Sequence, residues 1–268
     1  MSIEKLDNFK QSGDYIQSLE RGLQVIQAFS QDYQALTISA VSKITGLSRP
    51  TARRILLTLE HLGFAESNNS VFTLTARTLS LGYAYLSSNN RWSIAHAFMR
   101  DFVNHTGESC SISILDGTDI IYVARVSTKR IMSINLDVGS RLPAYATSMG
   151  HVLLAYLPKE RLEKYLESLD FVKFTDKTIV DKEQLLTMLE EVRENEWGGV
   201  DQQLEEGLRS IAVPLRDASG KVFAAINCSV HAGRISKEIL QNEFLPLLKE
   251  TAEKINQAMA ITNNSRYV

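Results

Sequence analysis

The chain has 268 residues, of which 44% are hydrophobic and 22% are charged, and its formal net charge is −2 at pH 7. The length predicts one or two domains with enough residues for two hydrophobic cores, and the composition is ordinary for a globular protein. The nearly neutral charge excludes a global electrostatic attraction to nucleic acid, so any DNA binding has to depend on a local basic patch.

Two segments precede the first motif. Residues 1–14 are polar with little periodicity, which predicts a flexible arm. From Tyr15 to Phe29 apolar residues recur at helical spacing. This pattern predicts the first helix of a small domain that spans residues 15–75.

Residues 37–62 read TISAVSKITGLSRPTARRILLTLEHL and predict two short helices joined by a tight turn at residues 45–47. Ser48 is a suitable N-cap for the second helix, and Pro50 falls in its first turn, where a missing N–H costs nothing. Apolar residues at positions 52, 55, 56 and 59 share one helical face, which is therefore expected to be buried. The pattern is typical of a helix-turn-helix.

The outer surface of this motif carries donors for phosphates and base edges. The candidate contacts with double-stranded DNA are Thr37, Ser48, Arg49, Pro50, Thr51, Arg53, Arg54 and Thr58. In residues 35–62 the basic residues face a single acidic residue, Glu60. Because this patch is small in one chain, we expect a dimer or a tetramer to collect enough phosphate contacts.

Residues 64–74 contain two strand-like runs around an Asn/Ser turn, which predict a β-hairpin, or wing. A helix-turn-helix pattern alone also fits an ordinary helical hairpin with a solvated charged face. Followed directly by a wing, it indicates a winged helix-turn-helix domain. Residues 76–90 then predict a linker helix, whose stripe of Leu79, Tyr83 and Leu86 packs either on a partner subunit or on its own domain.

The remaining residues, 91–268, predict a second domain of the α+β class, because antiparallel hairpins alternate with helices. Strands are predicted at residues 109–115, 120–126, 131–136, 210–215 and 222–229. Helices are predicted at residues 92–105, 148–157, 159–169, 181–195 and 236–261.

The usual anchors of catalysis are missing, since the sequence has no GxSxG, HExxH, Walker or GxGxxG motif. Cys110 and Cys228 are too few for a disulfide framework, and the five histidines lack metal-ligand spacing. We therefore expect no enzymatic activity, no cofactor and no metal. The sequence also lacks a bilayer-spanning apolar run and a signal-peptide core, which predicts a cytoplasmic protein.

Residues 139–151, GSRLPAYATSMGH, form an irregular segment that runs into a helix. Helix N-termini present unpaired N–H groups and a partial positive charge, which suit a carboxylate. Thr147 or Ser148 is the expected N-cap, with the amides of Met149 and Gly150 facing a ligand. A plain capped helix without a ligand is the alternative interpretation.

Three motifs carry a family resemblance: GLSRPTARRILLTLEHLGF, RLPAYATSMGHVLLAYLP and GGVDQQLEEGLRSIAVPLRDASGKVFAAINCSV. With them, the chain resembles transcription regulators of the isocitrate lyase regulator (IclR) family from residue 15 to 262. RLPAYATSMG and LEEGLRSIAVP are most similar to the branch that controls the protocatechuate and 4-hydroxybenzoate pathways, the PcaU, PcaR and PobR types.

The resemblance implies a GAF-like α/β effector-binding domain for small organic acids at residues 91–268, and dimers supported by the linker helix. The effector contacts that it implies are Leu142, Tyr145, Ser148, Met149, Gly150, Asp201, Arg209, Ser210, Asn227 and Ser229. Arg141 and Arg209 are candidate counter-ions for a carboxylate. The chain departs from many relatives at His151, where they have Lys or Arg, and at apolar Val200.

The resulting hypothesis is a ligand-responsive DNA-binding regulator that activates an aromatic-acid catabolic operon. Its effector would be a small carboxylate such as protocatechuate, 4-hydroxybenzoate or β-ketoadipate, and its partners operator DNA, further copies of the chain and RNA polymerase. Three alternatives stay open: a repressor that senses glyoxylate or pyruvate, an enzyme that metabolises a small acid, and a structural DNA binder without effector.

Overall fold

The structure is a computed structural model that describes residues 9–10, 12–30, 32–88, 91–128 and 136–264. The chain divides into two compact units, Met1–Ser88 and Asn89–Val268. Most of the predicted arm lies outside the described residues, and so does the strand predicted at residues 131–136, apart from its last residue. Among the described residues, none of the helices combines the length and the apolar character needed to cross a membrane.

The N-terminal unit combines helices with a small antiparallel sheet. In chain order its elements are α1 (Gln17–Gln27), β1 (Ala35–Thr37), α2 (Ile38–Thr45), α3 (Arg49–His61), β2 (Ala65–Asn68), β3 (Val71–Leu74), a 3-10 turn (Ala76–Thr78) and α4 (Leu79–Ser88). This order confirms the predicted winged helix-turn-helix, followed by the predicted helix after the wing.

Local capping defines the two helices of the motif. Thr37 caps α2 by accepting a hydrogen bond from the Ala40 amide at 3.2 Å, and Ser48 caps α3 by accepting one from the Thr51 amide at 3.3 Å. Gly46 ends α2 with φ +71°, a left-handed conformation that glycine adopts without a steric penalty. Thr37 therefore defines the start of α2, and Gly46 and Ser48 define the turn between the two helices.

The wing is a tight hairpin in which both turn residues, Asn69 and Ser70, have positive φ. Such turns match the twist of the flanking strands. The strand order is β1-β3-β2, so β1 adds to the outer side of the wing. β1 was not predicted from the sequence, since three residues carry too little periodicity to distinguish a strand from a loop.

The C-terminal unit is the predicted α+β domain. Its elements are α5 (Arg91–Thr106), β4 (Ser109–Asp116), β5 (Asp119–Val126), β6 (Arg141–Pro143), a 3-10 turn (Ala144–Ala146), α6 (Ser148–Ala155), α7 (Lys159–Glu167), α8 (Lys182–Asn195), β7 (Gly198–Asp201), β8 (Leu208–Arg216), β9 (Val222–His231), a helical turn (Lys237–Ile239), a π-helical turn (Leu240–Phe244) and α9 (Leu245–Asn264).

The strands of this unit form an antiparallel sheet in the order β6-β5-β4-β9-β8-β7. One face packs against α5 and α9 through a core that includes Met99, Leu248 and Ile255. The other face packs against α6, α7 and α8. The edge strands β6 and β7 were not predicted, because both are short and one contains Pro and the other two glycines, which are depleted in strands.

Helix α6 begins over the middle of the sheet, and every one of its residues is buried. Gly150 in its first turn permits this position, because a Cβ there would overlap the carbonyl group of Ala144. The absence of a side chain thus brings the 3-10 turn and the start of α6 into direct contact. This packing places the N-terminus of α6 against β8 and β9.

Candidate functional site

The outer surface of α3 carries Arg49, Arg53 and Arg54, which are exposed and form no ion pair with another described residue. Glu60, the acidic residue of the motif, instead accepts a hydrogen bond from Ser67 of the wing at 2.6 Å. The carboxylate is therefore engaged within the domain, and the three arginines keep their charge available for phosphates.

The other predicted DNA contacts have local roles as well. Thr37 and Ser48 are caps, and the Thr58 hydroxyl donates to the Arg54 carbonyl at 2.8 Å. Thr51, Arg54 and Thr58 also line a groove between α1 and α3. Pro50 is exposed in the first turn of α3. The exposed positive charge of this surface thus comes from the arginines, and the hydroxyls and Pro50 mainly shape the helix.

A small cavity lies at the start of α6 in the C-terminal unit and has a volume of about 30 Å³. It is here called the effector cavity because several residues predicted as effector contacts line it. Its lining comes from strands β5, β6, β7, β8 and β9, from the start of α6 and from the segment between β7 and β8. Six residues predicted as effector contacts line it: Leu142, Ser148, Met149, Ser210, Asn227 and Ser229. Their common location was not evident from spacing, since they come from four separate elements.

Four further residues predicted as effector contacts do not line this cavity. The Tyr145 hydroxyl donates to the Val172 carbonyl at 2.8 Å and accepts from the Val172 amide at 2.7 Å, so it is engaged in packing. The Gly150 amide donates to Thr147 Oγ1 at 3.2 Å, the N-cap bond of α6. That amide is therefore not free for a carboxylate.

Asp201 and Arg209 lie on the opposite face of the sheet from the effector cavity and bond to each other at 2.6 Å. Burial disfavours the charged form of Asp201, but hydrogen bonds from Arg209, Lys237 and Gln202 outweigh it and hold the pKa of Asp201 well below its usual value. Arg209 also donates to the carbonyls of Ala232 and Ile235. Its guanidinium therefore joins β7 to the segment that follows β9 and has a structural role.

Arg141, the second predicted counter-ion, is directed away from the effector cavity. Its guanidinium contacts Asp116 at 2.7 Å and Asp119 at 3.1 Å, and its side chain is 45% exposed. Neither of the arginines proposed from the sequence therefore supplies a cation to the effector cavity.

The cation of the effector cavity is Arg125, a residue that was not predicted as an effector contact from the sequence. Its Nη1 donates to Ser111 Oγ at 3.0 Å, and the residue is half-buried on β5. Tyr122, on the same strand, also lines the cavity and is only 4% exposed. Burial raises the pKa of Tyr122 to about 12, and the positive charge of Arg125 opposes this rise. The phenol therefore stays a neutral donor.

Other donors of the effector cavity come from the first turn of α6. The amides of Ser148 and Met149 have no hydrogen-bond partner among the described residues, and the positive end of the helix dipole adds to their attraction for an anion. The Ser148 and Ser210 hydroxyls lie 2.8 Å apart. Asn227 accepts from the Ser111 amide at 3.1 Å and donates to Ser229 at 2.9 Å, which fixes the orientation of its side-chain amide.

His151 provides no charge at this site. It is fully buried, and its Nε2 lies 2.6 Å from the Tyr145 carbonyl. Burial lowers the pKa of His151 to about 4, although the hydrogen bond to Tyr145 opposes the shift. The imidazole is therefore neutral at pH 7 and supports the segment that leads into α6.

The described residues contain no group of His, Cys, Asp or Glu side chains that could hold a metal ion. Cys110 and Cys228 face each other in the register of β4 and β9 and are both buried. Burial raises the pKa of both thiols above the ordinary value, which keeps them protonated. They are core residues of the sheet.

A winged helix with exposed arginines on α3, followed in the chain by a separate α+β unit, is the architecture of a DNA-binding transcriptional regulator. Two family models agree: residues 18–69 match the IclR helix-turn-helix domain, and residues 83–257 match the C-terminal domain of bacterial IclR transcriptional regulators. The chain belongs to the IclR family of transcriptional regulators, and not to a family of enzymes.

Individual regulators are similar to this chain over most of its length. The chain is 43% identical to the Pca regulon regulatory protein of Pseudomonas putida, over 91% of this chain and 84% of that protein. It is 36% identical to the p-hydroxybenzoate hydroxylase transcriptional activator of Acinetobacter baylyi, over 90% and 91% of the two chains. A crystal structure of a transcriptional regulator from Rhodococcus sp. RHA1 matches with 47% identity and a TM-score of 0.81, over 92% of this chain and 100% of that one.

Proposed function

We propose that the protein activates an aromatic-acid catabolic operon, of the protocatechuate, 4-hydroxybenzoate or β-ketoadipate type, in response to a small organic acid bound in the effector cavity. The names of the two relatives support the pathway, and the name of the Acinetobacter relative supports the activator role. An activator of this kind has operator DNA and RNA polymerase as its partners.

The observation that carries the proposal is the composition of the effector cavity. A cation, Arg125, and a neutral phenol, Tyr122, stand on β5, while the free amides of Ser148 and Met149 stand at the start of α6. Apolar walls are supplied by Leu142, Leu204 and Leu208. Donors at two positions with apolar walls between them suit an acid that carries a second polar group, such as a hydroxybenzoate or a dicarboxylate.

The volume of the cavity implies that ligand binding opens it. About 30 Å³ corresponds to a single water molecule, whereas a cavity of about 150 Å³ is needed to hold benzene. Leu204 and Glu205, on the segment between β7 and β8, cover one side. Displacement of this segment upon binding gives the effector a differential affinity for two conformations, which a regulatory response requires.

The small volume also favours the alternative effectors, glyoxylate and pyruvate, in a repressor. These acids need much less space than a substituted benzene ring. The two functions differ in the ligand that stabilises the folded protein and in the sign of the transcriptional response.

For DNA binding, we propose that α3 lies in the major groove with Arg49, Arg53 and Arg54 toward the duplex, and that the wing contacts the backbone. Two winged helices are needed to collect enough phosphate contacts. The linker helix α4 exposes Leu79 (74%) and Tyr83 (69%) within its own unit. A contiguous apolar stripe of this kind supports self-association into dimers or tetramers.

The test is a thermal-shift screen of the purified protein against protocatechuate, 4-hydroxybenzoate, β-ketoadipate, pyruvate and glyoxylate. A ligand that binds only the native state raises its melting temperature. The acid that gives the shift is then added to a transcription assay that uses the operon beside the gene as its template. A shift with an aromatic acid or β-ketoadipate, together with increased transcription, is expected. A shift with only pyruvate or glyoxylate, or reduced transcription, contradicts the proposal.

A further inference from the structure

The segment between β7 and β8 closes the effector cavity from one side. Residues 202–207, here called the lid, contribute Leu204 and Glu205 to the cavity lining. The lid begins at Gln202 and ends at Gly207, and both residues have positive φ. The Gln202 amide donates to a carbonyl of β8 at 2.7 Å, and the Gly207 amide donates to Gln202 Oε1 at 3.0 Å. The two ends of the lid are therefore fixed next to the sheet.

Two threonine hydroxyls contact the lid from the loop between α7 and α8. Thr175 Oγ1 donates to the Gln202 carbonyl at 2.6 Å, and Thr178 Oγ1 donates to the Gln203 carbonyl at 2.6 Å. Thr178 Oγ1 also accepts from the amides of Phe174 and Thr175, at 3.0 and 2.8 Å, so its donor and both of its acceptor positions are used. The loop thus presents two oriented donors to the lid. These two hydrogen bonds are here called the latch.

Other contacts of the lid favour and oppose its closed position. Leu204 packs partly against the core on the α6 side of the sheet, which favours closure. Gln203 Oε1 is buried and has no hydrogen-bond partner among the residues that the structure describes. A buried acceptor without a partner destabilises the state that buries it, and opening of the lid returns this oxygen to water. The latch therefore offsets a cost of closure.

We propose that Thr175 and Thr178 are positioning residues for the effector cavity, and that an effector enters when their hydrogen bonds to the lid break. This inference rests on the proposed function, because it takes the effector cavity as the ligand site. A cavity of about 30 Å³ has the size of one water molecule, so the closed state is too small for an acid of several heavy atoms. The apparent affinity for an effector is then proportional to the fraction of molecules with an open lid. The latch sets this fraction, and with it the effector concentration at which the regulator responds.

The first measurement needs no ligand. Thr175→Val removes one hydroxyl of the latch, and amide hydrogen exchange in the lid, followed by mass spectrometry, is expected to become about fivefold faster, the effect of losing one typical hydrogen bond. Thr175→Ser keeps the hydroxyl and is expected to restore the exchange rate of the parent protein. Thr187→Val is the matched control, since it removes a hydroxyl that donates to the Glu183 carbonyl at 3.0 Å within α8.

The second measurement is the ligand concentration that gives half of the melting-temperature shift, titrated with 4-hydroxybenzoate and with β-ketoadipate. Thr175→Val is expected to lower this midpoint about fivefold, while Thr175→Ser and Thr187→Val leave it unchanged. Damage to the structure of the cavity would raise the midpoint, so the direction of the change separates a positioning role from a purely structural one.

Two results overturn the inference. One is lid exchange that is equally fast in Thr175→Val and in the parent protein, and the other is a midpoint that Thr175→Val raises or leaves unchanged. If none of the five acids of the thermal-shift screen stabilises the parent protein, the proposed effector response fails. The exchange rates of the ligand-free variants then still support or overturn the latch, so the two failures are distinguishable.

Discussion

The hydroxyl groups of Ser148 and Ser210 lie 2.8 Å apart and are both buried, so they join the first residue of α6 to β8. This hydrogen bond holds the N-terminus of α6 at the point where the free amides face the effector cavity. Ser210 also lines a second cavity, at the β7 edge of the sheet. The two serines therefore connect the N-terminus of α6 directly to β8.

Replacing Arg125 with Gln is expected to weaken effector binding about tenfold or more, because hydrogen bonds to a charged partner contribute about 1.5–3 kcal/mol. The readout is the ligand concentration that gives half of the melting-temperature shift. Arg141→Gln is the control, since that guanidinium is held by Asp116 and Asp119 at the surface. Equal effects of the two substitutions would contradict the assignment of Arg125.

Replacing Arg53 or Arg54 with Ala is expected to weaken operator binding, because each substitution removes a positive charge that the proposed docking of α3 places toward a DNA phosphate. The slope of log affinity against log salt is expected to fall by about one unit in each variant. The measurement is a binding titration with operator DNA at several salt concentrations. Lys254→Ala, at an exposed ion pair with Glu250 in the C-terminal unit, is the control. If affinity and slope stay at their original values in both arginine variants, α3 does not lie in the groove.

Gly150→Ala is expected to lower the free energy of unfolding by about 3 kcal/mol, at the upper end of overpacking effects, because its Cβ overlaps the backbone of Ala144. Denaturant titration measures this change. Gly82→Ala in α4 is the matched control, since nothing lies within 4 Å of its Cβ position, and it is expected to be neutral or stabilising by up to about 1 kcal/mol. A Gly150→Ala protein of unchanged stability would show that the turn is not closely packed.

His151 is expected to make the protein less stable in mild acid. Its folded pKa of about 4 lies below the ordinary value of 6.5, so between these values the unfolded chain binds more protons than the folded chain. The stabilising contribution is complete above pH 6.5 and disappears as pH falls toward 4, at roughly 1.4 kcal/mol per pH unit. In His151→Gln, the number of protons taken up on unfolding between pH 6.5 and 4 should be smaller by about one. The unfolding free energy of this variant should therefore depend less steeply on pH than that of the parent protein. Equal slopes of unfolding free energy against pH in the parent protein and in His151→Gln would refute this role of His151.

The elements with strong local signals were predictable from the sequence. Thr37, Gly46 and Ser48 encode the helix-turn-helix through caps and one left-handed residue, and Asn69 and Ser70 encode the turn of the wing. Each signal involves residues within a few positions of one another, so its physical cause is readable from neighbouring residues. The edge strands β6 and β7 had no such signal.

The candidate site was only partly predictable, and Arg125 shows why. Strict alternation along β5 would place Tyr122 and Arg125 on opposite faces of the sheet. The pairing of β4 with β5 shifts between Ile112 and Ser113, which leaves Val123 as a bulged residue. The bulge places Val123 and Ala124 together in the core below α5 and returns Arg125 to the face of Tyr122.

The sequence by itself determined the winged helix-turn-helix and the α+β class of the second unit, and it narrowed the cap at the start of α6 to Thr147 or Ser148, because these depend on local periodicity and on side chains next to the groups they bond. Only the tertiary structure decided which cation faces the effector cavity and that Asp201 and Arg209 belong to a different cavity. Those outcomes depend on strand register and on contacts between segments far apart in the chain, and a register change of one residue reverses the face on which a side chain lies.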